Sequence, residues 1–393
     1  MKTDTKAKIS VPALSMVEHG FVREDRGLLP FPEPLKKFPK DFPSEFQEHN
    51  EMAENLPKYI SSGLVRKYLD DLPPLPVEML EGRYAELAFR NECFFVSAYA
   101  WAYCIWNVDA PHAESIPINR ARTIHALAQK LGVQPILCYW MYAMNNFAKI
   151  DDTKPIRWGN ISTLQNFASP PFNEDEDGFI LPHVEIESEA GPGLCAIPRA
   201  QEAVLRDDGE SYLENLQKMK QALLEMTETL KTIPSLSSPN WYFRYVRPWI
   251  FFFRQINYDG VGRFEMLKGE TGAQSPSIIS FDRALGVKHE KTGLTNHLQE
   301  LRPYRPPLQE KWIKAVEQGP SLKNFILKDK SDRCIKESFN EANEALTEFR
   351  RTHFKTALMY IKDQGRGAIA TGGTHYERFL PQLIKETEAN MII

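Results

Sequence analysis

Cysteine is scarce, and the five present, Cys93, Cys104, Cys138, Cys195 and Cys334, are widely spaced, odd in number and without a C-x-x-C pair. That excludes a disulfide framework and a cysteine zinc site, and leaves reduced thiols of the kind expected in the cytoplasm. An excess of one charge is missing too: 48 Lys and Arg against 52 Asp and Glu give a formal net charge of -4, no electrostatic basis for a nucleic-acid partner. The longest uncharged run, Cys93 to Val108, contains Ser97 and Asn107 and falls short of the roughly 20 apolar residues of a membrane span. It reads as a buried helix. The N-terminus, MKTDTKAKISVPALSM, has no continuous apolar segment of signal-peptide length, so no export is expected.

Familiar catalytic signatures are absent as well. The nine histidines form no H-E-x-x-H or other short zinc spacing, and there is no G-x-S-x-G for a serine nucleophile. The loop from Gly269 to Ala273 lacks the Gly-Lys-Ser/Thr ending of a phosphate-binding loop. Alternating β-branched runs are nearly missing, which excludes a sheet-dominated fold.

What is there is helical periodicity, most of all from Ser331 to Gly365. Ile335, Phe339, Ala342, Leu346, Phe349, His353, Ala357 and Tyr360 recur at spacings of three and four, on one helical stripe. Ser331 can cap its start and Gly365 its end. His353 is the odd member of that apolar stripe. It can be a packed histidine with a hydrogen-bond partner, a buried base, or a ligand to a metal or haem iron. His183 is the other histidine in a strongly apolar setting, and a single axial imidazole is the special role this histidine pattern supports best.

Elsewhere, residues 1 to about 50 are proline-rich and read as an irregular segment draped over a core. Two short helices are expected between Asn50 and Leu69, then helices over Glu81 to Val108, Asn119 to Leu131 and Pro135 to Asn146. The polar, aperiodic stretch from Asp151 to Asp177 suggests a domain boundary near residue 167. After it, Gly178 to Ile186 reads as a short apolar element and Ser188 to Arg199 as a loop or helix start. Arg199 to Ile233 reads as one long helical region, and Pro248 as a kink or helix start within Trp241 to Ile256. Gly260 to Gly272 reads as loop, followed by helices over Gln274 to Leu285 and Gln309 to Leu327. Thr374 with Glu377 fits a capping box for the last helix.

Several blocks in order, GETGAQSPSIISFDRALG from Gly269, FRRTHF around His353 and ATGGTHYERF from Ala370, resemble the indoleamine 2,3-dioxygenase family of haem proteins. Weaker blocks span Pro135 to Pro155, Gly178 to Glu187 and Trp241 to Pro248. The resemblance implies a mainly α fold: a smaller, mostly helical N-terminal domain over residues 1–167 covering the distal pocket, and a large all-helical haem-binding domain over 168–393. It implies haem b, with His353 as the iron ligand, Arg350 near a propionate, and Thr271 and Gly272 in the loop beside the haem. For the substrate, Arg247 matches a carboxylate anchor, Tyr139, Tyr142, Phe179, Tyr242 and Phe243 match aromatic positions of an indole pocket, and Thr371 with Gly372 matches a loop closing over the ammonium group.

The implied activity is insertion of dioxygen into the C2–C3 bond of the indole of L-tryptophan or a related indole, giving an N-formylkynurenine-type product. Its partners would be the small-molecule substrate, dioxygen and an electron donor that keeps the iron ferrous, with neither nucleic acid nor membrane. Three positions depart from the family pattern. His183 stands where serine is usual, Tyr242 where phenylalanine is usual, and Glu270 replaces a glycine. A catalytic role for His183 follows from its place on the distal segment. The more polar pocket keeps two alternatives open: different indole chemistry on the same fold, or a non-catalytic haem protein that binds or senses dioxygen.

Overall fold

Helical spacing prevails: among the residues described by the computed structural model (11–104, 107, 110–328, 333–364 and 369–393), fourteen α-helices outweigh five short strands. The first part carries α1 (Pro12–Glu18), α2 (Ser44–Ser61), α3 (Val65–Asp71), α4 (Gly82–Ala100) and α5 (Ile118–Leu131). The second carries α6 (Asn173–Arg206), α7 (Gly209–Leu236), α8 (Pro239–Trp241), α9 (Pro276–Leu285), α10 (Gly293–Glu300), α11 (Pro307–Gln318), α12 (Leu322–Lys328), α13 (Arg333–Tyr360) and α14 (Tyr376–Glu388). The mainly α expectation holds. No helix among the described residues is long and apolar enough to cross a membrane. Every described cysteine is a free thiol, and all but Cys334 are buried.

The frame of the site is four helices, in which α6 lies along α7, and α13 packs on α7 and α14. On α13 the stripe read from sequence is the buried one, from Ile335 and Phe339 through Leu346 and Phe349 to Tyr360. Its expected caps, Ser331 and Gly365, lie outside the described residues, as does the Val108 end of the earlier helix. That helix, α4, ends at Ala100.

Several sequence expectations need correction. The short apolar element and the Gly-Pro-Gly loop are one 34-residue helix, α6, which runs through Pro182, Pro192 and Pro198. Local breaker rules lose here to packing. A Cβ on Gly193 would sit 2.7 Å from the Phe281 ring and 2.8 Å from Ala222, and one on Gly191 would sit 2.5 Å from the Glu24 carbonyl oxygen. Only glycine lets α7, α9 and the N-terminal segment come that close, and this contact outweighs the weakened helix ladder. The expected single helix across Arg199 to Ile233 breaks at Asp207, whose φ of 55° turns the chain. Asp208 then caps α7 by accepting a hydrogen bond from Ser211 N at 3.0 Å.

Gly260 to Gly272 is not all loop. Strand β5 (Gly262–Leu267) pairs antiparallel with β4 (Phe253–Tyr258), and β1 (Ser115–Ile116) joins the other edge of β4 in parallel. The alternation in β5 rests on only Phe264 and Met266, too few to stand out in sequence. A two-stranded ribbon, β2 (Phe147–Lys149) with β3 (Ile161–Thr163), straddles the start of the boundary stretch. Pro248 neither kinks nor starts a helix. It follows a widened π turn over Tyr242–Val246 and precedes β4. The helix expected over Pro135 to Asn146 shrinks to the π turn Trp140–Met144. Gly319 and Pro320 split the expected Gln309 to Leu327 helix into α11 and α12, because proline supplies no amide hydrogen to continue the ladder. The capping box at Thr374 is absent: α14 starts after His375, without a side-chain cap.

Candidate active site

α13 brings His353 to the wall of a cavity of about 740 Å³, and a smaller cavity of about 140 Å³ adjoins it. His183, on α6, and Gly272, in the loop after β5, line both. Burial, and secondarily the nearby His183, lower the His353 imidazole to about 4, so it is neutral with a lone pair to offer. Gly272 stands in front of that imidazole: a Cβ there would be 3.7 Å from His353 Nε2.

His183 is held from its own helix. Its Nδ1–H donates to the Phe179 carbonyl oxygen at 2.6 Å, which leaves Nε2 as the acceptor, and burial lowers its pKa. Rings continue from it in a column: Phe179 at 4.8 Å from His183, Tyr242 at 4.5 Å from Phe179, and Tyr360 at 5.2 Å from Tyr242. Tyr139 meets His183 edge-on at 6.0 Å. Such a column gives flat, apolar walls with few polar tips.

The loop from Gly269 to Ser275 is pinned at several points. Gln274 accepts from Tyr139 N at 2.8 Å and donates to the Gly269 carbonyl at 3.0 Å. Glu187, one helical turn beyond His183, accepts hydrogen bonds from Ser275 and Ser277 at 2.5 Å each and from the Tyr139 hydroxyl at 3.0 Å. Burial nonetheless raises the Glu187 pKa. Sequence reading missed this residue. Its signal was the i, i+4 spacing to His183, visible only if α6 is carried through Pro182.

The remaining expected residues fall in two groups. Thr271, Thr371, Phe179 and Tyr242 line the smaller cavity with Glu270, and the Thr371 hydroxyl donates to the Glu270 carbonyl oxygen. Gly372 packs behind them, near Thr271. Arg350 lines the larger cavity in a buried network: Arg350 to Asp282 at 2.5 Å, Asp282 to His289 at 2.7 Å, His289 to Glu386 at 2.6 Å. Burial would raise the Asp282 carboxyl, but Arg350 and His289 outweigh it and hold it down at about 2. Tyr142, Phe243 and Arg247 are not on either cavity's wall. The Tyr142 hydroxyl donates to Glu176 at 3.2 Å, while Arg247 lies over Phe251 and donates to the Ile369 carbonyl oxygen at 2.7 Å, its Nε buried without a partner.

These residues fit a haem. Among the described residues no three His, Cys, Asp or Glu side chains converge as a metal site, so a lone imidazole can hold iron only if a macrocycle supplies the other ligands. The larger cavity has Ile186, Leu230, Ile278 and Phe349 on its walls for an apolar ring, and Arg350, Arg283 and Lys288 for anionic substituents.

Comparison with known proteins agrees. The sequence profile described as indoleamine 2,3-dioxygenase matches residues 17–390. The chain is 29% identical to indoleamine 2,3-dioxygenase 2 of Homo sapiens over 364 residues, which cover 90% of this chain and 85% of that protein. It is 28% identical to indoleamine 2,3-dioxygenase 1 of Rattus norvegicus over 357 residues, 88% of this chain and 84% of that one. A 6-hydroxytryptophan 2,3-dioxygenase of Fusarium equiseti is 22% identical over 365 residues, 88% of this chain and 85% of its own. With a match that runs almost from end to end, the chain belongs to the indoleamine 2,3-dioxygenase family of haem-dependent oxidoreductases.

Proposed function

We propose that this protein uses haem b to add both atoms of dioxygen across the C2–C3 bond of an indole, L-tryptophan or a close relative, opening the ring to an N-formylkynurenine-type product. The observation that carries this reading is the imidazole of His353, without a hydrogen-bond partner among the described residues, facing a cavity whose other wall is His183 and a column of aromatic rings. The haem would supply dioxygen binding and the redox chemistry, with an external electron donor keeping its iron ferrous. Everything else falls to the protein.

In this reading His353 would hold the iron, and Arg350, paired with Asp282, would take an anionic substituent of the haem. Gly272 keeps the space in front of His353 Nε2 free of bulk, with Thr271 beside it in the same loop. Phe179, Tyr242 and Tyr139 orient the flat ring and exclude water, with Tyr142 and Phe243 packed behind. His183 Nε2, the acceptor left by the bond from Nδ1–H to Phe179, takes a hydrogen bond from the indole N–H and can hold that proton. Arg247 takes the substrate carboxylate by exchanging its bond to Ile369, and Thr371 with Gly372 closes over the amine. Residues 1–167 form the part that covers the pocket and 168–393 the part that holds the haem. The free thiols fit a reducing compartment such as the cytoplasm.

The relative named for 6-hydroxytryptophan supports an indole other than tryptophan as the substrate to compare. The test is a spectrum of the haem-loaded, reduced protein with and without L-tryptophan, followed by product analysis under dioxygen. A shifted Soret band and appearance of N-formylkynurenine are expected. A haem spectrum indifferent to tryptophan, with no ring-opened product from any indole offered, overturns the reading.

A further inference from the structure

The smaller cavity has an unbalanced wall. Glu270 is 4% exposed, and its carboxylate finds no hydrogen-bond or ion-pair partner among the described residues. Its backbone is fixed on both sides: Glu270 N donates to the Ile250 carbonyl oxygen at 3.1 Å, and the Thr371 hydroxyl donates to the Glu270 carbonyl oxygen. These bonds fix the Glu270 backbone at the wall, and its side chain lines the cavity.

No Lys or Arg lines this cavity, and Glu270 is its one acid among the described residues. The histidines on its wall, His183, His297 and His353, are all shifted by burial toward the neutral form. Burial likewise pushes the Glu270 carboxyl up to about 8, the behaviour of an acid waiting for a counter-charge. On the wall of the larger cavity the basic side chains, Arg283, Lys288 and Arg350 among them, outnumber the acids Asp282, Glu310 and Glu317. One space thus suits an anion and the other a cation.

We propose that Glu270 is the specificity-determining residue of the smaller cavity, a buried carboxyl that selects indole ligands bearing an ammonium group. A buried polar group left unpaired by the wrong ligand is what makes such discrimination strong. The inference deepens the indole reading above and rests on it. Tyr242, whose ring lines the same wall, supplies the apolar contact that any indole shares, so Glu270 separates ligands by their side chain and not by their ring.

The test uses haem-loaded protein and calorimetric titration with tryptamine and with indole-3-propionate, which differ in the charge of the side chain. Glu270→Gln keeps size and removes the charge. Glu270→Gly is the second variant, needing no buried partner at all. In wild type, tryptamine is expected to bind more tightly than indole-3-propionate. In both variants the ratio of the two dissociation constants should fall by about tenfold or more, mainly through weaker tryptamine binding. A wild type that binds both ligands, with a ratio unchanged in the variants, overturns the role of Glu270 alone. A wild type that binds neither overturns the indole reading and this inference together.

Discussion

Asp282 grips Arg350 at 2.5 Å, one helical turn before His353, and so holds a guanidinium against the cavity wall. Its second oxygen reaches His289, so one buried carboxylate balances two cations. Replacing Asp282 with Asn should leave Arg350 without its carboxylate and His289 with Glu386 alone, and cost about 3–5 kcal/mol of stability. The pH dependence has two sides. The Asp282 contribution is present above its ordinary value of 3.8 and is lost as pH falls toward about 2, because its folded pKa is depressed. The His289 contribution is present below 6.5 and is lost as pH rises through its elevated pKa. Urea unfolding across the acid and neutral range should show a stability dome in wild type, flattened in Asp282→Asn.

Gly272 and His353 test the cofactor site from opposite sides. His353→Ala should keep its helical circular dichroism yet lose haem by about tenfold or more in affinity, since no cluster of three metal-ligating side chains stands in for it among the described residues. Gly272→Val should do the same by filling the space before Nε2, whereas Gly272→Ala, at 3.7 Å, makes an ordinary contact and should be mild. Haem content per chain, read by absorbance after reconstitution, decides both.

Glu187 gathers three hydroxyls from two segments. Glu187→Ala strips all three of their acceptor in a buried place, for a loss on the order of 3 kcal/mol, and frees the loop that carries Gly272. Glu187→Gln retains one acceptor oxygen and should lose less. Thermal melts give the stability, and a haem titration shows whether the loop has drifted.

Gly193 is the test of the continuous α6. A Val there would press into Phe281 and Ala222, for a destabilisation of about 1–3 kcal/mol or more. The same change in a loop would be nearly silent in a urea titration.

The contrast between α13 and α6 shows how far sequence carries. The α13 stripe was legible because period 3.6 is written into its own residues, and His353 stood out as the polar member of an apolar row. α6 was not, because its prolines and glycines argue for a break, and the packing that overrules them comes from residues 23–27, 222 and 281. Glu187 was lost with it. The extension of the Arg350–Asp282 pair to His289 and Glu386 escaped for a related reason: the network joins four segments that only the folded chain brings together. Thr271, Gly272, Thr371 and Glu270 were legible as a group through motif resemblance, whereas the bond from Arg247 to Ile369 has no signal in sequence.

The parallel pairing of β1 with β4 has a practical bearing on protein engineering. Ser115 and Ile116 cover one side of β4, whose other neighbour, β5, leads into the loop at the cavity, and the Ser97 hydroxyl also donates to the Trp249 carbonyl ahead of β4. A recombinant fragment spanning 168–393 would leave that side of β4 as a bare ladder of amide and carbonyl groups, an open template for strands of other molecules. Such a fragment should come out of expression as aggregate, and supplying residues 11–167 as a separate chain should rescue part of it into solution.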